Sequence, residues 1–418
     1  MNRTATAGPS TATAGPSTAG ADRATVAPDA AAQIEALLAR RTAANEQFFE
    51  AESARLAELC HLMAERFARG GRLVAFGQTP SARSDARHVA VEFVHPVIVG
   101  KRALPAIGLA AEGGDIARQA ELIVAADDIA IAFGAGDDDG QATRAIAAAR
   151  SRGCLTLAFG RGTGAEWEFD PPSSDPHVRQ ELVETLYHVL WELVHVFFDH
   201  RGLLTGREPR RTHDAGASSF LYPFLAEQES SLAPVLDDVR RSALMKAQEV
   251  GVLRRQTLTE NRDALIAAAQ TLKDALEGGG KLLALGNGGS ATDAMDTVAD
   301  FHSAGHPAID LTEDTSILTA IANDIGTDAI FSRQVIAYGV AGDVLIALST
   351  SGNSANVISA LDEARRRGLA TIALVGYDGG RIGAEGLADH VIVTRSEHIP
   401  RIQEAQASAY HALCKLVG

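Results

Sequence analysis

The chain has 418 residues, and at about 150 residues per domain this length allows two or three domains. Hydrophobic residues make up 46% and charged residues 22%, which is typical of globular proteins and excludes global disorder. The 38 basic and 53 acidic residues give a net charge of −15, which argues against a general nucleic-acid binder and a polybasic membrane-surface protein.

Residues 1–30 are predicted to form a disordered tail. Residues 4–17 repeat TATAGPS twice, and such low-complexity sequence cannot bury a core. No stretch approaches the roughly 18 apolar residues of a membrane span. The three widely spaced cysteines argue against a disulfide framework or a cysteine zinc site. We therefore expect a cytoplasmic protein with neither membrane nor nucleic-acid partners.

The rest of the chain contains one pattern twice. A helical pattern at 31–68 is followed by the apolar strand RLVAFG, and a second helical pattern at 236–276 is followed by KLLALG. Further helices alternate with short apolar strands in both blocks. This alternation predicts α/β domains, each with a largely parallel sheet.

Matching short segments indicate that the two blocks are duplicates. Residues 118–133 match 333–348, and Asp128 and Asp343 each follow a glutamine by nine residues. We expect one domain at 31–200, a polar linker at 201–232 and a second domain at 233–418.

Two elements of the second block predict a phosphate site. The turn GNGGS follows the strand at 282–285 and opens a helix, where backbone N–H groups attract anions. The strand at 344–348 runs into STSGNS, whose four hydroxyls are more than one helix cap requires. Hydroxyls and backbone donors at the ends of two strands suit a phosphate monoester of a sugar.

Four segments together resemble the sugar isomerase (SIS) family, in particular its phosphoheptose isomerases: GNGGSATDA (286–294), TAIANDIGTDAIFSRQ (319–334), LIALSTSGNSANVISAL (345–361) and RIQE (401–404). The resemblance implies two tandem SIS domains, each a parallel-sheet α/β/α sandwich of flavodoxin or Rossmann-like type with a long N-terminal helix. It implies conversion of sedoheptulose 7-phosphate to glycero-manno-heptose 7-phosphate. The implied substrate-binding residues are Asn287, Gly288, Ser290, Asn323, Asp324, Ser349, Thr350, Ser351, Ser354 and Gln403.

The resemblance also implies a helix with a histidine and, four residues later, a glutamate, plus a late helix with a glutamine and a histidine eight residues apart. Such residues bind a metal, commonly zinc, or act as acid and base. The candidates, as alternatives and not as one set, are His88, Glu92, Gln180, His188, Gln403 and His411. Asp296 and Asp300 replace the histidine and glutamate in the second block, and Asp137–Asp139 replace the serine-rich loop in the first.

The first block therefore lacks the serine-rich loop that the second retains, and the second lacks the histidine and glutamate that the first retains. Ser290 and Asp300 lie about 15 Å apart along a helix, and Gln180 and His188 about 12 Å, so neither pair should serve a single site. We expect one composite site, in which the second block holds the phosphate and the first contributes its histidine and glutamate. The reciprocal site is expected to be inactive.

Aldose–ketose isomerisation moves a proton between C1 and C2 through a cis-enediol and requires a base with an acid or a metal. We expect Glu92 to be the base and His188 or His411 to be the acid or a metal ligand. Two alternatives stay open: a non-catalytic SIS protein that senses a sugar phosphate or binds a partner, and an isomerase of another phosphosugar. By analogy with tetrameric single-domain relatives, the tandem chain is expected to dimerise.

Overall fold

A computed structural model describes residues 27–98, 101–110, 114–134, 140–204 and 231–418. Most of the expected tail and linker, and the acidic loop at Asp137–Asp139, lie outside the described residues. The first helix, α1, spans Ala27–Ala68 and takes in the last four residues of the expected tail. Pro28 is tolerated in the first helical turn, and the alanine run after it has high helix propensity.

The first half contains a five-stranded parallel sheet. Its elements after α1 are β1 (Leu73–Phe76), α2 (Pro80–Val94), β2 (Ala106–Leu109), α3 (Ile116–Ile123), β3 (Ile129–Ala132), α4 (Gln141–Ser151), β4 (Leu155–Phe159), β5 (Trp167–Phe169), α5 (Pro176–Asp199) and a 3-10 turn at Arg201–Leu203. The strand order is β2-β1-β3-β4-β5, and every described pairing is parallel.

The second half repeats this sheet. Its elements are α6 (Leu232–Glu260), α7 (Arg262–Glu277), β6 (Leu282–Leu285), α8 (Gly289–Ser303), β7 (Ala308–Asp310), α9 (Thr315–Asp324), a 3-10 turn (Thr327–Ala329), α10 (Ser332–Tyr338), β8 (Val344–Ser349), α11 (Ala355–Arg366), β9 (Ala370–Gly376), α12 (Gly380–Ala384), β10 (His390–Thr394) and α13 (Ile399–Val417). The order β7-β6-β8-β9-β10 matches that of the first half. The predicted pair of parallel α/β sheets is confirmed.

Asp128 and Asp343, the aspartates repeated in the two halves, accept equivalent hydrogen bonds. Asp128 accepts the backbone N–H of Arg72 at 2.8 Å, and Asp343 accepts that of Lys281 at 3.0 Å. Each also accepts a backbone N–H from the turn before its strand. Two neighbouring strands are thereby held at their starts by one buried carboxylate in each half.

The predicted helix at 236–276 is two helices instead of one. They meet at Asn261, whose side-chain amide donates to the carbonyl of Val393 and accepts from its N–H, both at 2.9 Å. A side chain that pairs with the backbone of β10 in this way holds the chain against that strand, and the helix axis breaks there.

Each of the long helices α1 and α6 reaches into the core of the other half with one end. Ile34, Leu37 and Leu38 of α1 pack in the core of the second half. Val235 and Val239 of α6 pack in the core of the first half. On one side of each sheet the core is therefore completed by a helix of the other half, whereas the core on the opposite side contains residues of one half only.

Several described helices exceed 18 residues, among them α1, α5, α6 and α13. Among the residues that the structure describes, none of these helices is apolar enough to cross a membrane. The cytoplasmic location stays a prediction.

Glu192 on α5 joins the halves through buried ion pairs. Its carboxylate contacts Lys246 of α6, and Arg401 Nη2 of α13 lies 2.5 Å from it. Burial acts to raise the pKa of Glu192, but the two cations outweigh it and lower the pKa from 4.5 to about 2. Because the pKa is depressed in the folded state, this stabilisation is complete above about pH 4.5 and is lost as the pH falls towards 2.

A Glu192→Gln variant is expected to lose about 3–5 kcal/mol of unfolding free energy at pH 7, because it removes a carboxylate from two buried cations. Urea unfolding at pH 7 and at pH 3 measures the effect, and the gap to wild type should narrow at the lower pH. Glu385→Gln, in an exposed pair with Arg381, is the control and should leave unfolding unchanged. A gap that stays equal at both pH values would contradict the expectation.

Candidate active site

The first part of the site is the turn between β6 and α8. A Cβ added at Gly286 would lie 2.2 Å from the carbonyl oxygen of Ser290, so the chain can fold this tightly only with glycine there. Gly288 has a φ of +59°, which also favours glycine. The side chains of Asn287 and Asn356 exchange two hydrogen bonds of 3.0 and 2.9 Å, which hold the turn beside the start of α11.

The serine-rich loop follows the neighbouring strand β8. Ser349 Oγ accepts the backbone N–H of Gly352 at 3.2 Å and lies 3.4 Å from Ser354 Oγ. Thr350 and Ser351 are half-buried in the same loop. Because β6 and β8 pair in parallel, their carboxyl ends meet at one edge of the sheet. The amino termini of α8 and α11 and these hydroxyls therefore lie along one edge of the sheet, here called the hydroxyl cradle (Ser290, Ser349, Thr350, Ser351 and Ser354).

The second part is a cluster of buried side chains around His88 of α2. His88 Nε2 lies 3.3 Å from His188 Nε2 of α5 and 3.4 Å from Gln403 Nε2 of α13. Glu92 Oε1 is 3.8 Å from the same His88 nitrogen. All four side chains are 0–2% exposed. Side chains of the first half thus form one buried cluster with a glutamine of the second, here called the His88 pocket (His88, Glu92, His188 and Gln403).

The two parts meet at the first residue of α8. A Cβ added at Gly289 would fall 1.8 Å from Gln403 Nε2 and 2.7 Å from His88 Nε2. The backbone of the glycine turn therefore contacts the His88 pocket directly. The helices α2 and α8 pack together beside this contact, where Ser84 Oγ donates to the carbonyl of Thr292 at 2.9 Å.

The remaining predicted ligands lie elsewhere. His411 Nδ1 is 2.8 Å from Glu181, and its Nε2 is 3.3 Å from Asp300. Gln180 faces Asp296. These residues form the equivalent cluster on the other side of the repeat. There Asp296 and Asp300 of the second half occupy the positions that His88 and Glu92 occupy in the first. The structure thus separates Gln180 and His411 from the other four candidate ligands.

Asn323 and Asp324 lie at the end of α9. Both are exposed, and Asn323 Nδ2 donates to Asp324 Oδ1 at 2.7 Å. No described contact joins them to the hydroxyl cradle or the His88 pocket. Their place in the expected substrate-binding set stays a prediction.

Three residues of the pocket were missed from the sequence. Glu184 lies beside His88 and His188, Tyr187 Oη is 2.9 Å from His88 Nδ1, and Glu404 Oε1 is 2.9 Å from His188 Nδ1. Glu184 could have been found from its spacing, since it precedes His188 by one helical turn. A glutamate follows the glutamine in both repeats, Glu181 in the first and Glu404 in the second, so this shared position could have pointed to Glu404.

Burial sets the protonation of the pocket. It lowers the pKa of His88 well below its usual value, with a further contribution from His188, so the imidazole of His88 is neutral at pH 7. It raises the pKa of Glu92 to about 7 and that of Glu184 well above its usual value. A carboxyl group that ionises near pH 7 is suited to take and return a proton.

The pocket fits a divalent metal. Ligand atoms of His88, Glu184 and His188 lie within 4.8 Å of one another. Buried oxygens without a hydrogen-bond partner are found on Glu184, Glu92 and Gln403. Both histidines engage a neighbour through Nδ1 and turn Nε2 inwards, as metal-ligating histidines do. Imidazole nitrogens with a carboxylate oxygen are a donor set that zinc accepts.

A family model described as the SIS domain matches residues 247–376. A phosphoheptose isomerase of Citrifermentans bemidjiense is 49% identical over 160 residues, 37% of this chain and 82% of that protein. A phosphoheptose isomerase of Geobacter sulfurreducens is 44% identical over 189 residues, 44% of this chain and 97% of that protein. The C-terminal domain of glucosamine-fructose-6-phosphate aminotransferase from Francisella tularensis shares the fold, with a TM-score of 0.56 at 9% identity over 91% of this chain and 95% of that one.

Proposed function

The chain belongs to the sugar isomerase (SIS) family, with phosphoheptose isomerases among its relatives, and on that premise we propose that it converts D-sedoheptulose 7-phosphate to D-glycero-D-manno-heptose 7-phosphate. The reaction takes place at one composite site, made of the hydroxyl cradle of the second half and the His88 pocket. The contact of Gly289 with His88 and Gln403 carries this proposal, because it joins an anion-binding helix terminus to a buried acid–base pocket.

The hydroxyl cradle binds the phosphate. Backbone N–H groups at the start of α8 and α11 and the loop hydroxyls donate to its oxygens, and Asn287 and Gly288 shape the turn. The phosphate then holds the other end of the sugar against the His88 pocket. In the sequence of the first half, the aspartates at 137–139 replace the serine-rich loop, and their charge would repel a dianion.

Glu92 moves the proton. Its carboxylate takes a proton from C1 of the ketose, which leaves a cis-enediolate, and returns it to C2. The hydroxyl proton passes from O1 to O2, and in the site without metal His188 is the group placed to carry it. Because His411 lies with Asp300 at the reciprocal position, we assign it no step.

Zinc would be held by His88, His188 and Glu184, with Gln403 beside them. When bound, it supplies a Lewis acid that polarises the substrate oxygens. Glu184 offers the carboxylate that the metal needs, which leaves Glu92 free to act as the base.

The test is a substrate panel with purified protein, assayed with and without zinc. Turnover of sedoheptulose 7-phosphate is expected, and slower or no turnover of hexose and aminosugar phosphates. Binding of the heptulose phosphate without turnover would favour the sensor or partner-binding alternative. Turnover of a different phosphosugar only would identify an isomerase of another specificity.

A second copy of the chain is proposed to cover α9. Leu318 packs against the core of the second half, but Ile317 and Ile321 are only half-buried and the adjoining Ile325 is 58% exposed. Apolar side chains left partly exposed along one helix suit a protein interface. Light scattering should return twice the mass of one chain.

A further inference from the structure

A buried row of charged side chains ends on His188. It runs from Lys246 to Glu192, from Glu192 to Arg401 Nη2 at 2.5 Å, and from Arg401 Nη1 to Glu404 Oε2 at 2.7 Å. Glu404 Oε1 then lies 2.9 Å from His188 Nδ1. His188 and Glu192 belong to α5 of the first half, whereas the other three belong to the second.

This arrangement selects one tautomer of His188. A carboxylate only accepts hydrogen bonds, so the Nδ1 that faces Glu404 must carry the proton. In the neutral ring Nε2 then has a free lone pair, and it points at His88 Nε2 3.3 Å away. The second oxygen of Glu404 is held by Arg401, so the carboxylate cannot turn away from the histidine.

The reciprocal position has a matching pair. His411 Nδ1 of the second half lies 2.8 Å from Glu181 Oε1 of the first, so each late histidine is held by the glutamate of the other half. Glu181 is fixed by Arg41 at 2.8 Å and by Ser408 at 2.6 Å. The two glutamates share one geometry, but only Glu404 acts on the His88 pocket.

We propose that Glu404 is a positioning residue for the isomerase. It fixes the tautomer and the orientation of His188 so that Nε2 is available to the metal or the substrate, and Arg401 and Glu192 hold Glu404 in place. The inference rests on the proposed function. Because Glu404 and His188 come from different halves, the tautomer depends on the docking of one half on the other.

Glu404→Gln is the test, because one amide oxygen cannot replace two carboxylate oxygens. Its oxygen is expected to turn to Arg401, which leaves the NH₂ group facing His188 Nδ1 and moves the ring proton to Nε2. Side-chain ¹⁵N spectra of the full chain labelled at histidine should show this change of tautomer. Zn²⁺ affinity, measured by chelator competition, should fall about 10–100-fold, and kcat should fall while KM stays near that of wild type.

Glu181→Gln is the matched control, since it makes the same change at the reciprocal position. It should alter the His411 signal and leave the His188 signal, Zn²⁺ affinity and kcat within about threefold of wild type. If Glu404→Gln folds poorly, Glu404→Asp keeps the charge with a shorter reach and should give the same changes in smaller degree.

The outcomes separate two questions. Unchanged His188 signals and Zn²⁺ affinity in both Glu404 variants would overturn the positioning role. Equal effects of Glu181→Gln and Glu404→Gln on Zn²⁺ affinity would also overturn it, because the role would then be structural. Wild-type protein that turns over no sugar phosphate would contradict the proposed function, and the tautomer of His188 could still be read.

Discussion

A Glu92→Gln variant is expected to fold like the wild type and to lose about 10²–10⁴-fold of its isomerase activity, the range that general acid–base groups contribute. Glutamine has nearly the shape of glutamate, and Glu92 is 2% exposed, so the packing is kept. The amide cannot take the proton that a carboxyl group with a pKa of about 7 can. Initial rates with sedoheptulose 7-phosphate at saturating zinc measure the loss.

Asp300→Asn is the control for this variant, because Asp300 occupies the corresponding position on α8. It should keep activity within a few-fold of wild type, although its contacts with His177 and His411 can cost stability. Both proteins should therefore be assayed well below their melting temperatures. Wild-type turnover in Glu92→Gln would remove Glu92 from the mechanism.

Gly289→Ala is expected to lower kcat/KM by about 10²-fold, the cost of roughly 1 Å of misplacement at a reacting centre. The added Cβ would fall within 1.8 Å of Gln403 Nε2 and 2.7 Å of His88 Nε2, so both side chains must move. Gly289 does not have the left-handed backbone that alanine would resist. The loss should therefore appear in the assay and in Zn²⁺ affinity, with little change in melting temperature.

Gly251→Ala gives the comparison for this change within α6. Its added Cβ would meet Asn45 Nδ2 at 3.9 Å, an ordinary contact, and alanine favours helices. Activity should be unchanged. If Gly289→Ala also kept full activity and zinc binding, the glycine turn and the His88 pocket could not form one site.

Much of the fold could be predicted from the sequence because the same local sequence patterns recur in both halves. The aspartates at 128 and 343 follow their glutamines at one spacing, and both hold the starts of parallel strands. That α1 and α6 each contribute to both cores could not be predicted, because an apolar helix face shows that it is buried and does not show in which core. The same limit applies to Asn323 and Asp324, whose motif does not say what they face.

The sequence predicts the individual site residues, but it does not predict which glutamine and which histidine come together. The spacing of Gln180 and His188 indicated that they could not share a site, and the structure separates them. It places His188 with Gln403, a choice that depends on how α5 and α13 pack. Glu184 and Glu404 complete the pocket through contacts between helices, which spacing within one helix cannot give.

Binding and turnover of sedoheptulose 7-phosphate, measured side by side in Glu92→Gln and Ser351→Ala, test most directly whether the two halves build one site. Glu92→Gln should bind the sugar phosphate like the wild type and not turn it over, because the cradle of the second half is intact. Ser351→Ala should lose both binding and turnover. Full turnover in Glu92→Gln, or unchanged binding in Ser351→Ala, would contradict the composite site.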